Sequence, residues 1–154
     1  MISCELTEEM ARSLCTWRYP WRNNGAPLLP PWEQIMEKGG ALVDPARRSQ
    51  EYTAYRSDGI FIGITKLTLH EAYVTLGIAV HPDWCGKGYG AKMLAYALCL
   101  AGERHPGLPV VLEVTPDNER AIRLYQRTGF VTAGEREDPQ LGPLLIMRYD
   151  KACG

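Results

Sequence analysis

The sequence predicts an α/β (α+β) fold: a mixed, mostly antiparallel central sheet of about six or seven strands, flanked by helices on both faces. Three observations predict it. Between residues 51 and 80, "EYTAYRS", "GIFIGITKLTL" and "AYVTLGIAV" succeed one another, each rich in the β-branched and aromatic residues of consecutive antiparallel strands. Beyond residue 86, segments of helical period alternate with strand-like segments, as when helices are laid over a sheet. A length of 154 residues with 45% hydrophobic and 23% charged side chains suits one domain with a substantial core.

Taken in order, "LTEEMARSLCTW" starts at Thr7, a suitable N-cap, and sets Met10, Leu14 and Trp17 at helical spacing. A helix is therefore expected over about 7–17. "RYPWRNNGAPLLPPWEQIMEKGG" is dense in proline and aromatics and reads as a shaped surface; its short helix, "PPWEQIMEK", is stopped by Gly39 and Gly40. The three strands come next, with a turn signal at Ser57-Asp58-Gly59. Ala91, Leu94, Ala95 and Leu98 mark one apolar helix face running to about Gly102. "LPVVLEV" is a nearly continuous apolar run, expected as a strand buried on both faces. "NERAIRLYQRTGF" is a helix with Asn118 as N-cap and Gly129 at its C-terminal stop. Closing strands are expected near 130–136 and 143–149. Residues 1–154 are expected to form a single domain, with 1–50 helical and 58–149 forming the core.

A net charge of −1 exerts no global pull towards nucleic acid or an anionic membrane, which call for a basic patch or stripe, so neither is expected as a partner. Cys4, Cys15, Cys85, Cys99 and Cys153 make no C-x-x-C pair, and His70, His81 and His105 are scattered. Neither a disulfide framework nor a metal site is expected. "MISCELTEEM" lacks the plan of a signal peptide and no apolar run approaches a membrane span, so a cytoplasmic setting is expected.

"HPDWCGKGYGAKML" places Gly86, Gly88 and Gly90 within five residues, with Lys87 among them. A P-loop fails here, because Lys87 is followed by Gly88 and no Ser or Thr is in place. A dinucleotide fingerprint fails too, since the spacing is G-x-G-x-G. A glycine-rich turn opening a helix exposes free backbone N–H groups beside the positive end of the helix dipole, which makes an anion site. A tight strand-to-helix turn with glycines for geometry alone explains the loop equally well.

A second pattern, C-terminal to the loop, adds context. "VHPDWCGKGYGAKML" and then "LEVTPDNERAIRLYQRTGF" resemble the two motifs of the GNAT superfamily of acyl-CoA-dependent N-acetyltransferases. The second motif matches at Asn118, Ala121, Leu124, Tyr125, Gly129 and Phe130. The resemblance covers roughly residues 58 to 149 and implies a GNAT-like fold. It also implies transfer of an acetyl group from acetyl-CoA, the co-substrate, to a primary amine by direct attack in a ternary complex. The amine is a protein N-terminus, a lysine or a small molecule. Cys85, Gly86, Lys87, Gly88, Tyr89, Gly90 and Ala91 would hold the CoA pyrophosphate. Ile78, Ala79 and Val80 would receive the pantetheine arm, through main-chain groups of Ile78 and Val80. Asn118 and Tyr125 would also meet the cofactor. Cys85 stands where the family usually has Arg or Gln; a thiol brings no charge there, and Lys87 is placed to take over part of that work.

Tyr125 is the candidate general acid. It lies seven residues after Asn118, on the same helix face, and a phenol with a pKa near ~10 is protonated at neutral pH. Glu113, the only charge in "LPVVLEV", is the candidate general base, acting through water as the matching glutamate does in relatives that acetylate protein N-termini. A structural carboxylate bound to backbone or to an arginine is the alternative. Gly77, inside a strand, suits a bulge splaying that strand from its neighbour, or close packing. Trp17, Arg18, Tyr19 and Trp21 precede the strands that line the acceptor site in this family, and either shape that pocket or pack the helices. The partners implied are a small-molecule or peptide amine and a second copy in a homodimer. A non-catalytic CoA-binding regulatory module of the same fold is the rival, with Cys85 as its support.

Overall fold

The protein is described by a computed structural model covering residues 1–22 and 25–150; Cys153 lies outside them. In chain order the elements are β1 (Ile2–Cys4), α1 (Glu8–Ser13), α2 (Trp32–Lys38), α3 (Pro45–Glu51), β2 (Tyr52–Ser57), β3 (Ile60–Leu69), β4 (Val74–Val80), α4 (Tyr89–Arg104), β5 (Val110–Val114), α5 (Glu119–Thr128), β6 (Val131–Asp138) and β7 (Gly142–Tyr149). The strands form one mixed seven-stranded sheet in the order β1-β2-β3-β4-β5-β7-β6. β4 runs parallel to β5, while β1 with β2, β2 with β3, β5 with β7 and β6 with β7 are antiparallel.

Four details depart from the sequence-based expectation. The seventh strand is β1, whose three residues are too short to show a period. α3 is unexpected because "PARRSQE" has no apolar stripe, although Asp44 accepts the N–H groups of Ala46 and Arg47 and Pro45 opens the helix, which is a readable start signal. The expected helix over 7–17 ends as α1 at Ser13 and tightens into a 3₁₀ turn over Leu14–Thr16. β5 is buried on one face only: Val110, Leu112 and Val114 are buried whereas Glu113 is exposed. The caps come out as expected, with Thr7 accepting from Met10 N–H and Asn118 from Ala121 N–H.

The chain divides into two compact units, Met1–Lys66 with Ile78–Met93, and Leu67–Gly77 with the chain from Leu94 onward. In the first, Leu6, Met10, Ala11, Leu14 and Trp17 pack with Trp32, Leu42, Ala54 and Ile64. A second cluster gathers Tyr55, Ile62 and Met93, with Ile78, Val80, Trp84 and Tyr89 against it. In the second unit β7 is flanked on both sides, by β5 over five residue pairs and by β6 across a bulge near Thr132 and Gly134. The parallel β4–β5 ladder consists of Val74 with Val110 and Thr75 with Val111; Gly77 lies two residues beyond the last pair.

Candidate active site

In the first unit, β4 leads through a 3₁₀ turn, Pro82–Trp84, into the glycine loop and α4. His81 starts that turn: its Nδ1 accepts the N–H of Asp83 at 3.1 Å and its ring meets Trp17 edge-on. Gly86 and Gly88 take left-handed conformations, φ 79° and 86°, which L side chains rarely adopt. A Cβ at Gly88 would meet nothing within 4 Å, so the backbone conformation and not crowding demands glycine there, and the space beside it is open. The first helical bond of α4 runs from Lys92 N–H to the Gly88 carbonyl. The amides of Tyr89, Gly90 and Ala91 therefore have no helical acceptor. Lys87 is exposed, with Nζ 4.8 Å over the Trp84 ring, and Tyr89 OH shares a 3.0 Å hydrogen bond with Ser57 Oγ of β2. Open space, unspent amides and a cation fit a diphosphate.

Cys85 is engaged. Its thiol donates to the carbonyls of Val80 and His81, at 3.7 and 3.6 Å, and so ties the loop back to the strand it leaves. The Val80 carbonyl also accepts from Tyr19 OH at 2.5 Å. Of the two main-chain positions expected to meet pantetheine, Val80 thus has its carbonyl turned to Tyr19 and Cys85. Tyr19 and Trp17 are buried packing residues, while Trp21 is 69% exposed and Arg18 donates to the Gly25 carbonyl.

In the second unit, α5 begins at its Asn118 cap and ends at Gly129, left-handed at φ 119°. Phe130 N–H returns to the Tyr125 carbonyl at 2.9 Å and Gly129 N–H to that of Gln126 at 3.1 Å. This is a Schellman ending, whose accompanying apolar contact is the Tyr125–Phe130 ring pair at 5.8 Å. "LYQRTGF" is thus the device that sets Tyr125. Its ring is buried, at 8% exposure, its hydroxyl has no hydrogen-bond partner among the described residues, and burial pushes its pKa up to about 12.

Glu113 sits on the opposite face of β5 from Val110, Leu112 and Val114, because side chains alternate along a strand. Tyr149, which pairs with Val110 and so shares that other face, lies tilted against Phe130 with ring centroids 5.4 Å apart. Arg136 holds Glu113: its Nε donates to Oε2 and its Nη2 to Oε1 at 3.2 Å. This is the arginine-bound carboxylate of the alternative reading. Arg136 and its second partner Asp138 are the site residues that sequence reasoning missed. "ERED" shows that the two share a strand face, but their approach to Glu113 depends on a register across β7 that no local pattern encodes. Among the described residues no three His, Cys, Asp or Glu side chains gather as a metal site, and no helix is long and apolar enough to cross a membrane.

The buried phenols carry a pH prediction. Burial raises Tyr19 well above its ordinary value, and Tyr52 and Tyr125 to about 12. Each binds its proton more tightly folded than unfolded, where the pKa is ~10. Their stabilising contribution is therefore complete below about pH 10 and is lost as pH rises towards 12. Urea unfolding measured between about pH 8 and 11.5 is expected to show level stability up to about pH 10 and a decline beyond it, shallower in Tyr125→Phe.

The model of the acetyltransferase (GNAT) family matches residues 10–130, and the chain belongs to that family. A mycothiol acetyltransferase of Nocardiopsis dassonvillei is 48% identical over 64 residues, covering 39% of this chain and 17% of that protein. The chain spans 17% and 21% of the length of the curated relatives it matches. Among solved structures, the ribosomal-protein-S18-alanine N-acetyltransferase of Escherichia coli superimposes with a TM-score of 0.71 at 19% identity, covering 99% of this chain and 95% of that one. A spermidine N-acetyltransferase chimera from Vibrio cholerae and hSSAT gives 0.75 at 18% identity, covering 99% and 97%. At such identities the structures show the shared fold.

Proposed function

We propose that the chain acts as a single N-acetyltransferase domain in the cytoplasm, moving an acetyl group from acetyl-CoA to a primary amine in a ternary complex. The observation that carries this is the left-handed Gly86–Gly88 turn, with open space at Gly88 and unspent amides at the start of α4. Such an arrangement suits a dianionic diphosphate, whose oxygens can take the amides that water otherwise satisfies. Acetyl-CoA supplies the activated thioester. The amides of Gly86 to Ala91 and Lys87 bind its pyrophosphate. Tyr125, protonated and unpartnered, donates its proton to the departing sulfur. Glu113 accepts the proton of the amine through a water, for which a carboxylate with about four acceptor positions has room. Proteins of the same fold are named for acting on spermidine and on an alanine of ribosomal protein S18, which supports an aliphatic primary amine as acceptor.

Thermal shift tests the binding half: acetyl-CoA at about one hundred times its Kd is expected to add roughly 2.7 kcal/mol of stability. Thiol release across a panel of amines tests the transfer. Glu113→Gln is expected to slow it about 10²-fold while acetyl-CoA binding is retained. Absence of any shift with acetyl-CoA overturns the function. A shift without thiol release for any amine points instead to a CoA-binding regulatory module.

A further inference from the structure

Three charges on one face of the second unit form an arrangement that acetyl-CoA binding does not require. Glu113 of β5 pairs in register with Ile146 of β7, and Ile146 with Gly134 of β6, so the row across the strands ends in a residue without a side chain. Two positions along β6, Arg136 shares that face and reaches back over the row to Glu113. The Nη2 that meets Glu113 Oε1 at 3.2 Å also meets Asp138 Oδ2 at 3.5 Å. Asp138 is fixed, because its Oδ1 accepts the N–H groups of Leu141 and Gln140 at 2.9 and 2.8 Å. The neighbouring cation on β7, Arg148, is occupied by Asp150 at 2.9 Å. Among the described residues Arg136 therefore has two carboxylates to choose from, and Glu113 has one cation. Arg136, Glu113 and Asp138 are 46%, 39% and 22% exposed, where water screens an ion pair and exchange of partners is easy.

The geometry points to Arg136 as a positioning residue that keeps the acceptor's place at Glu113. An incoming primary ammonium displaces the guanidinium from Glu113, and Asp138 retains it. This rests on the proposed role of Glu113 and names the acceptor class: amines that are cationic at neutral pH. A neutral aromatic amine has no charge with which to compete for the carboxylate. After the exchange, the N–H bond of the ammonium breaks and an O–H bond forms on the water held by Glu113, which passes a proton to the carboxylate. The nitrogen lone pair is then free for the thioester carbon.

Thiol release measured with spermidine and with a peptide beginning in alanine tests the exchange. R136Q removes the competing cation and is expected to lower the acceptor KM about threefold or more; D138N removes the second seat and is expected to raise it by a similar factor. The amide of D138N still accepts the turn's two N–H groups, so the hairpin is kept. KM for acetyl-CoA is expected to stay within about twofold in both, and R136K, which keeps the charge but not the two-pronged fit, to give an acceptor KM between those of R136Q and wild type. A purely structural Arg136 would not move the two KM values in opposite directions. KM changes of the same sign, or none, with turnover intact, overturn the exchange alone. Acetyl-CoA binding without thiol release from either amine overturns the cationic acceptor class. No acetyl-CoA binding overturns the exchange together with the function beneath it.

Discussion

Tyr125→Phe is expected to lower thiol release about 10²-fold or more while leaving acetyl-CoA affinity within about threefold. The substitution removes one oxygen and keeps the ring that packs on Phe130. Since the hydroxyl has no partner among the described residues, its loss strands no other polar group, and folding stability is expected to change by no more than about 0.5 kcal/mol. The fall in rate would thus be chemical. With its pKa pushed up to about 12, the phenol remains protonated through the neutral and moderately alkaline range. Wild-type turnover should therefore show no alkaline limb from this group below about pH 11. Stopped thiol-release assays across pH, beside isothermal titration with acetyl-CoA, measure both halves. Unchanged turnover in Tyr125→Phe would remove the residue from the proton path.

Much of this site could be read from the chain because its parts are local devices. The left-handed turns at Gly86 and Gly88, the Asn118 cap and the Schellman ending at Gly129 each occupy a few consecutive residues. The backbone conformation they need is written in the residue types themselves. The same holds for most of the strands and for α5. What escaped has a different physical origin. β1 exists only because Ile2–Cys4 finds β2, and Arg136 reaches Glu113 only because β7 lies between their strands in a particular register. Both are consequences of long-range pairing, to which a local period is blind. β5 misleads for a related reason. Four apolar residues around one acid read as a doubly buried strand, whereas Glu113 marks the face left open to its ion pair.

Cys85 is the clearest departure from the resemblance, and its surroundings account for it. A short thiol can turn back to the Val80 and His81 carbonyls, where Tyr19 OH also arrives; a long Arg or Gln would extend away from them. The strand end is thus fastened by side chains instead of offering that carbonyl outward.

Gly63 is expected to be the most sensitive single position in the first unit, although no positive φ marks it. It is buried in β3, and a Cβ there would stand 2.5 Å from Met93 Cε, 2.8 Å from Met93 Sδ and 2.8 Å from the Ala79 carbonyl oxygen. The first two contacts are the end of a flexible side chain and can give way; the third is backbone of β4 and cannot do so without moving the strand. Gly63→Ala is therefore expected to cost about 1–3 kcal/mol, as overpacking does, and to lower Tm by roughly 3–10 °C for a chain of this size. Adding Met93→Leu, which withdraws the thioether end at nearly constant volume, separates the two contacts. Stability is expected to recover in part, because the side-chain clash is relieved. Acetyl-CoA affinity is expected to stay reduced, because Ala79 lies between Ile78 and Val80 in the strand end proposed to meet the pantetheine arm. Urea unfolding and acetyl-CoA titration on the single and double variants distinguish these outcomes. Recovery of both together would mean that Met93 alone enforces the glycine, and retention of both in Gly63→Ala would mean that β4 yields freely at the one place where its position should matter most.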